Sequence, residues 1–160
     1  MKRRVYLETS VISYLTARPS KTIIGAAHQQ ITAAWWEKRF AYDLLVSEAV
    51  LRECAAGDPK AALKRLEIAK SFSLLLITEE AFQITAALLG RGIIPAKAAE
   101  DGLHIAIATV HKVDYLLTWN CKHIANPEIQ RNISSYLNEI DLFLPFICTP
   151  EELLGEDHAD

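Results

Sequence analysis

The stretch Val5-Tyr6-Leu7-Glu8-Thr9-Ser10-Val11-Ile12 decides the fold. Three apolar residues follow a basic start and stop at an acid. Thr9, Ser10 and Val11 then open a new pattern that ends near Arg18-Pro19. A short apolar run bounded in this way reads as a buried strand feeding a helix. The same alternation recurs at Leu44-Leu45-Val46, at Leu74 to Ile77, at Tyr115-Leu116-Leu117 and, as a short last strand, at Pro145 to Cys148. Helices are predicted between these runs. One covers 26–40. Ser47 caps another that runs to about Ala56 and stops at Gly57. Asp58-Pro59 starts a third, reaching about Lys70. Thr78-Glu79-Glu80 opens a fourth, closed by Gly90, with acids in its first turn. Two more cover 95–112 and 127–140. Short apolar strands alternating with helices imply a parallel sheet covered on both faces. The expected class is therefore α/β, a three-layer α/β/α sandwich on a central parallel sheet of four to five strands.

Composition narrows the function classes. The chain has 160 residues, 51% of them hydrophobic and 23% charged. That suits one folded domain and excludes intrinsic disorder. The expected organisation is a single domain over 1–150 and a loose acidic tail over 151–160. The formal charge is −3, so there is no global basic footprint for nucleic acid, although a local basic patch remains compatible with it. Cys54, Cys121 and Cys148 are odd in number and lack CxxC spacing. This points to reduced thiols in the cytoplasm rather than disulfides or a cysteine zinc site. No stretch is long and apolar enough to span a membrane, and Glu8 interrupts any signal-like run. Phosphate-loop and GxSxG motifs are absent. Trp35 and Trp36 read as packing residues, and His28, His104 and His111 as solvated or structural ones.

In parallel sheets ligands bind beyond the carboxyl ends of the strands. Glu8 follows the first strand directly, and Asn120 follows the fourth, two residues after Thr118. On the helix after the second strand, Glu48 and Arg52 stand four apart, the spacing of an ordinary surface ion pair. Glu53 instead projects between Ala49 and Val50, where a carboxylate is costly unless paired. On the helix of Pro95 to Lys112, the residues Glu100, His104 and His111 share a polar stripe. Asp101 falls on the side of Ile105 and Ala108 and needs a counter-charge there. Gly102 is unusual in a helix interior. Three carboxylates and one amide in a cleft, Glu8, Glu53, Asp101 and Asn120, form a hard oxygen set suited to Mg²⁺ or Mn²⁺. A divalent cation removes their mutual repulsion and can activate water against a phosphodiester.

Four segments carry a resemblance over nearly the whole chain, in order and spacing. They are YLETSVISYL (Tyr6–Leu15), SEAVLREC (Ser47–Cys54), EDGLHIAIA (Glu100–Ala108) and DYLLTWNCKHIAN (Asp114–Asn126). They resemble the PIN-domain family and, more narrowly, the VapC-type toxin ribonucleases of toxin–antitoxin systems. The resemblance implies a Rossmann-like sheet and a Mg²⁺- or Mn²⁺-dependent endoribonuclease acting on single-stranded or structured RNA. It also implies a cognate antitoxin partner and a homodimer. It maps the acidic positions of the family onto Glu8, Glu53, Asp101 and Asn120 as catalytic and metal-holding residues, with Glu8 where Asp is usual and Asn120 where an acid is usual. Thr9 matches the hydroxyl after the first acid. Thr118 and Lys122 are expected to contact substrate, Thr118 by its hydroxyl and Lys122 at phosphate. The alternative reading is a catalytically weak PIN module that binds RNA or protein without cleaving.

Overall fold

The structure is a computed structural model that describes residues 1–155. Five strands form one sheet: β1 (Arg3–Leu7), β2 (Tyr42–Ser47), β3 (Ser73–Leu75), β4 (Tyr115–Leu117) and β5 (Phe146–Cys148). All pair in parallel, in the order β3-β2-β1-β4-β5. Val5 lies between Leu44 on one side and Tyr115 on the other, and Tyr6 between Leu45 and Leu116. Val5, Tyr6 and Leu7 are all fully buried, as expected for a central strand covered on both faces.

The helices among the described residues are α1 (Thr9–Thr16), α2 (Ile23–Glu37), α3 (Glu48–Cys54), α4 (Pro59–Ala69), α5 (Glu79–Gly90), α6 (Ala99–Val110), α7 (Pro127–Glu139) and α8 (Pro150–Leu154). They complete a three-layer α/β/α fold. Their starts follow side-chain chemistry. The hydroxyls of Thr22, Ser47 and Thr78 accept from the backbone N–H groups of Gly25, Val50 and Ala81, and the Asp58 carboxylate accepts from Ala61. Each cap satisfies one of the free N–H groups of a first helical turn. Gly57, at φ +83°, turns the chain from α3 into α4, a conformation that costs glycine little.

Several expectations are corrected. The helix expected over 26–40 begins earlier, at Ile23, because Thr22 caps it, and a 3₁₀ turn over Arg39–Ala41 follows it. β3 ends at Leu75 rather than Ile77, since the Ile77 N–H leaves the sheet to bond the Glu48 carboxylate at 2.8 Å. The Glu48–Arg52 pair is not formed. Arg52 instead meets Glu100 of α6 at 2.9 Å, an exposed ion pair of small energetic weight. The start of the expected acidic tail is a helix. In α8 the Thr149 hydroxyl accepts from the Glu152 N–H, and the Glu152 carboxylate accepts from the Thr149 N–H, a reciprocal capping box. α8 lies against α2 and buries Leu154. The rest of that tail, 156–160, lies outside the described residues. Among the described residues no helix is long and apolar enough to cross a membrane.

Candidate metal centre

The sheet order shows where a ligand site belongs. The chain leaves β1, adds β2 and β3 on one side, then crosses to place β4 and β5 on the other. The reversal lies between β1 and β4, the switch point where open parallel sheets bind ligands beyond their carboxyl ends. Glu8 and Thr118 are the first residues after these two strands.

Glu8 is 6% exposed and fully engaged. Its Oε1 accepts from the Ser10 hydroxyl at 2.5 Å and the Thr118 hydroxyl at 2.6 Å. Its Oε2 accepts from the Ser10 N–H at 3.2 Å, which caps α1. Its own N–H donates to the Leu117 carbonyl at 3.0 Å. The Ser10 hydroxyl oxygen accepts from the Trp119 N–H, and that of Thr118 from the Asn120 N–H. Thr118 is fully buried. Its hydroxyl, expected to contact substrate, lies between Glu8 and Asn120.

Glu53 reaches the same place from α3. Its Oε1 accepts from the Thr9 hydroxyl at 2.5 Å and bonds His104 Nε2 at 2.5 Å. No hydrogen bond involves its Oε2 among the described residues, and the side chain keeps 30% exposure. His104 is fully buried. Its Nδ1 bonds the Tyr6 hydroxyl at 2.6 Å, and that hydroxyl bonds the Ser47 hydroxyl at 2.7 Å. One ligand atom each from Glu8, Glu53 and His104 lies within 4.8 Å of the others. Two carboxylates, one of them with a free oxygen, are hard donors that fit a divalent cation, and the imidazole stands beside them.

The electrostatics follow from this packing. Burial opposes charge on both Glu53 and His104. The hydrogen bond between them and their mutual attraction outweigh it, holding the Glu53 carboxyl below its usual range and the His104 imidazole above its own. Thr9 and Arg52 add to the effect on Glu53, Glu8 and Asp101 to that on His104. Burial above all raises the Tyr6 phenol, against the Ser47 hydrogen bond and with the charges of Glu8, Glu53 and Glu100. Tyr6 is therefore a neutral hydroxyl.

The four expected ligands thus fall into two groups. Glu8 and Glu53 meet, joined by His104. Asp101 and Asn120 meet separately through His123. The Asp101 Oδ2 bonds His123 Nδ1 at 3.1 Å, and the Asn120 Oδ1 accepts the His123 N–H at 3.0 Å. The Asp101 side chain is 21% exposed, half-buried at the margin rather than deep in the apolar side of α6. Lys122 is exposed. His104 and Tyr6 were missed by sequence reasoning. Helical spacing puts His104 on a stripe with the exposed Glu100 and the half-buried His111, and only the three-dimensional approach of β1 buries it. The available signal was a histidine three residues after Asp101, together with the tyrosine in the first strand.

Comparison with known proteins bears on the fold. The VapBC2 complex of Rickettsia felis, bound to a DNA fragment from its promoter, superposes with a TM-score of 0.53 at 15% identity. That match covers 91% of this chain and 98% of the other. VapC20 of Mycobacterium tuberculosis, a toxin that cleaves the sarcin–ricin loop, gives a TM-score of 0.58 at 15% identity, over 74% of this chain and 91% of that one. The fold is a VapC-like PIN fold. No family model and no curated protein matches the chain by sequence. The likeness therefore lies in the arrangement of elements.

Proposed function

We propose that the chain is a Mg²⁺- or Mn²⁺-dependent endoribonuclease acting on single-stranded or structured RNA, the toxin of a toxin–antitoxin pair. The observation that carries this reading is the convergence of Glu8, Glu53 and His104 at the switch point, with one Glu53 oxygen uncommitted. The fold adds support, since VapC20 is a toxin that cleaves the sarcin–ricin loop. The antitoxin partner rests on VapBC2, and a homodimer and a cytoplasmic setting complete the proposal.

Glu8 and Glu53 would hold the cation, with Asp101 and Asn120 closing the far side of the cleft. When bound, the cation supplies charge stabilisation at the phosphodiester and makes a water a better nucleophile. The chain's own residues do the rest. Ser10 and Thr118 fix the Glu8 carboxylate, and Thr9 fixes that of Glu53. Lys122 stands exposed to meet a phosphate. His123 holds Asp101 and Asn120 together.

The test is cleavage of a fluorophore-labelled single-stranded RNA with Mn²⁺, with EDTA, and by a Glu53→Gln preparation purified identically. The expected result is cleavage by the wild type with Mn²⁺ alone. Cleavage that persists in EDTA refutes the cation requirement. RNA retention without cleavage under all conditions selects the alternative, a binding module of this fold.

A further inference from the structure

We propose that His104, anchored by Tyr6 and Ser47, is a positioning residue that locks the Glu53 carboxylate so that only its Oε2 faces the cation, rather than a cation ligand itself. The inference rests on the cation reading above and goes beyond it by assigning His104, Tyr6 and Ser47.

His104 stands close enough to Glu8 and Glu53 to be counted as a third donor. Its hydrogen bonds say otherwise. Nε2 faces Glu53 Oε1 at 2.5 Å, and a carboxylate oxygen can only accept, so the proton between them sits on Nε2. A protonated ring nitrogen has no lone pair for a cation. Nδ1 is occupied by the Tyr6 hydroxyl at 2.6 Å. The Tyr6 and His104 rings meet edge to face, with centroids 5.8 Å apart, and both residues are fully buried. The imidazole therefore has no room to turn.

The consequence falls on Glu53. Its Oε1 is taken twice, by Thr9 from α1 and by His104 from α6, while among the described residues no hydrogen bond claims Oε2. Two elements, α1 and α6, thus decide which oxygen is presented. Ser47 closes the chain, since its hydroxyl oxygen also accepts the Val50 N–H that starts α3, the helix carrying Glu53. The helix that delivers the carboxylate and the ring that orients it share one anchor. Outer partners of this kind typically change metal affinity by about 10–100-fold when removed.

The experiment uses the full-length, metal-free chain with Mn²⁺ as probe and no RNA. Mn²⁺ affinity is measured by titration calorimetry for the wild type, His104→Leu, His104→Gln and Tyr6→Phe, with near-ultraviolet circular dichroism as the check on packing. Pulsed electron paramagnetic resonance reads whether nitrogen is bound to the Mn²⁺. His104→Leu should weaken Mn²⁺ by about 10–100-fold. His104→Gln, which restores an N–H toward Glu53, should recover part of that loss. Tyr6→Phe, nearly isosteric and linked to Glu53 only through His104, should weaken binding by a smaller factor, and the wild-type spectrum should lack a coupling from directly bound imidazole. If His104→Leu fails to fold, Tyr6→Phe and His104→Gln decide. A strong nitrogen coupling that disappears in His104→Gln would overturn the proposal and make His104 a ligand. Wild-type affinity in well-folded Tyr6→Phe and His104→Leu would overturn it as well. Absence of Mn²⁺ binding by the wild type would reject the cation reading and this inference with it.

Discussion

Replacing Thr118 by valine isolates the contact that ties the two central strands together at the site. The change is nearly isosteric and removes one hydroxyl. That hydroxyl donates to Glu8 Oε1 at 2.6 Å and accepts from the Asn120 N–H at 2.9 Å, at a fully buried position. A hydrogen bond to a charged group contributes about 1.5–3 kcal/mol. The Asn120 N–H loses its acceptor too, but Asn120 is half-buried, so water replaces much of that bond. The added methyl returns about 0.8 kcal/mol of burial. The net expected loss is about 1–2 kcal/mol, set mainly by the charged bond. For a chain of this size that corresponds to a fall in Tm of roughly 2–8 °C. The assay is differential scanning calorimetry in EDTA, so that no cation enters the comparison. Thr118→Ser is the control: it keeps the hydroxyl, drops one buried methyl and should cost about 1 kcal/mol. A double-mutant cycle with Glu8→Gln measures the pair itself, and contacting pairs of this kind couple by roughly 0.5–3 kcal/mol. A Thr118→Val protein that melts with the wild type, or that melts above Thr118→Ser, refutes the reasoning.

Three further outcomes are expected. Cys121 is exposed, whereas burial pushes the Cys54 thiol up to about 11 and the Cys148 thiol up to about 12; iodoacetamide at pH 8 should therefore label Cys121 alone, and mass spectrometry showing early labelling at Cys54 or Cys148 would contradict the packing. Both raised thiols remain protonated in the folded chain where the unfolded chain has begun to ionise, so the stability they contribute is complete below about pH 8.5 and falls as the pH climbs further; Cys148→Ala should flatten that alkaline decline in urea titrations, and an unchanged slope would count against it. At Gly102 a Cβ would lie 3.2 Å from Ile94 Cδ1 and 3.8 Å from Thr85 Cγ2. Gly102→Ala should stay within about 1 kcal/mol of the wild type, because helix propensity offsets a small shift of Ile94, while Gly102→Leu should cost about 1–3 kcal/mol by overpacking; urea unfolding showing the two equal would refute the crowding at α5 and α6.

The parts legible in the sequence are those governed by local rules. Alternation of apolar runs with capped helices places all five strands, because a strand buried on both faces cannot hide its composition. Glu53 was readable from Ala49 and Val50 on its own helix. The missed features depend on partners far along the chain. Arg52 has Glu48 one turn away, yet the stronger geometry comes from Glu100, 48 residues distant. His104 sits on the polar stripe of α6 by spacing alone, and its burial is decided by Tyr6, 98 residues earlier. The acidic run after Cys148 reads as solvated tail unless Thr149 and Glu152 are recognised as a reciprocal cap. Asp101 looks isolated on its helix because its partner, His123, stands in a turn beyond β4.

The arrangement of these residues also explains how the strand ends at the site are satisfied. At a switch point the chain diverges from two adjacent strands, and the crevice between them exposes strand ends whose backbone groups need partners. Here the first residues beyond β1 and β4 satisfy one another. The Glu8 N–H takes the Leu117 carbonyl, Glu8 Oε1 takes the Thr118 hydroxyl, and Ser10 takes the Trp119 N–H. The floor of the crevice is thus closed by neutral and charge-assisted hydrogen bonds before any ligand enters. Glu53 arrives on a separate element and is tethered through one oxygen only. One carboxylate therefore belongs to the scaffold and the other is presented by it. Substitutions at Glu8 must disturb α1 and β4 as well as the cleft, whereas Glu53→Gln leaves the strand ends intact and disturbs only the contacts with Thr9 and His104. For that reason Glu53, rather than Glu8, is the position at which loss of activity can be read without an accompanying loss of the strand-end hydrogen bonds.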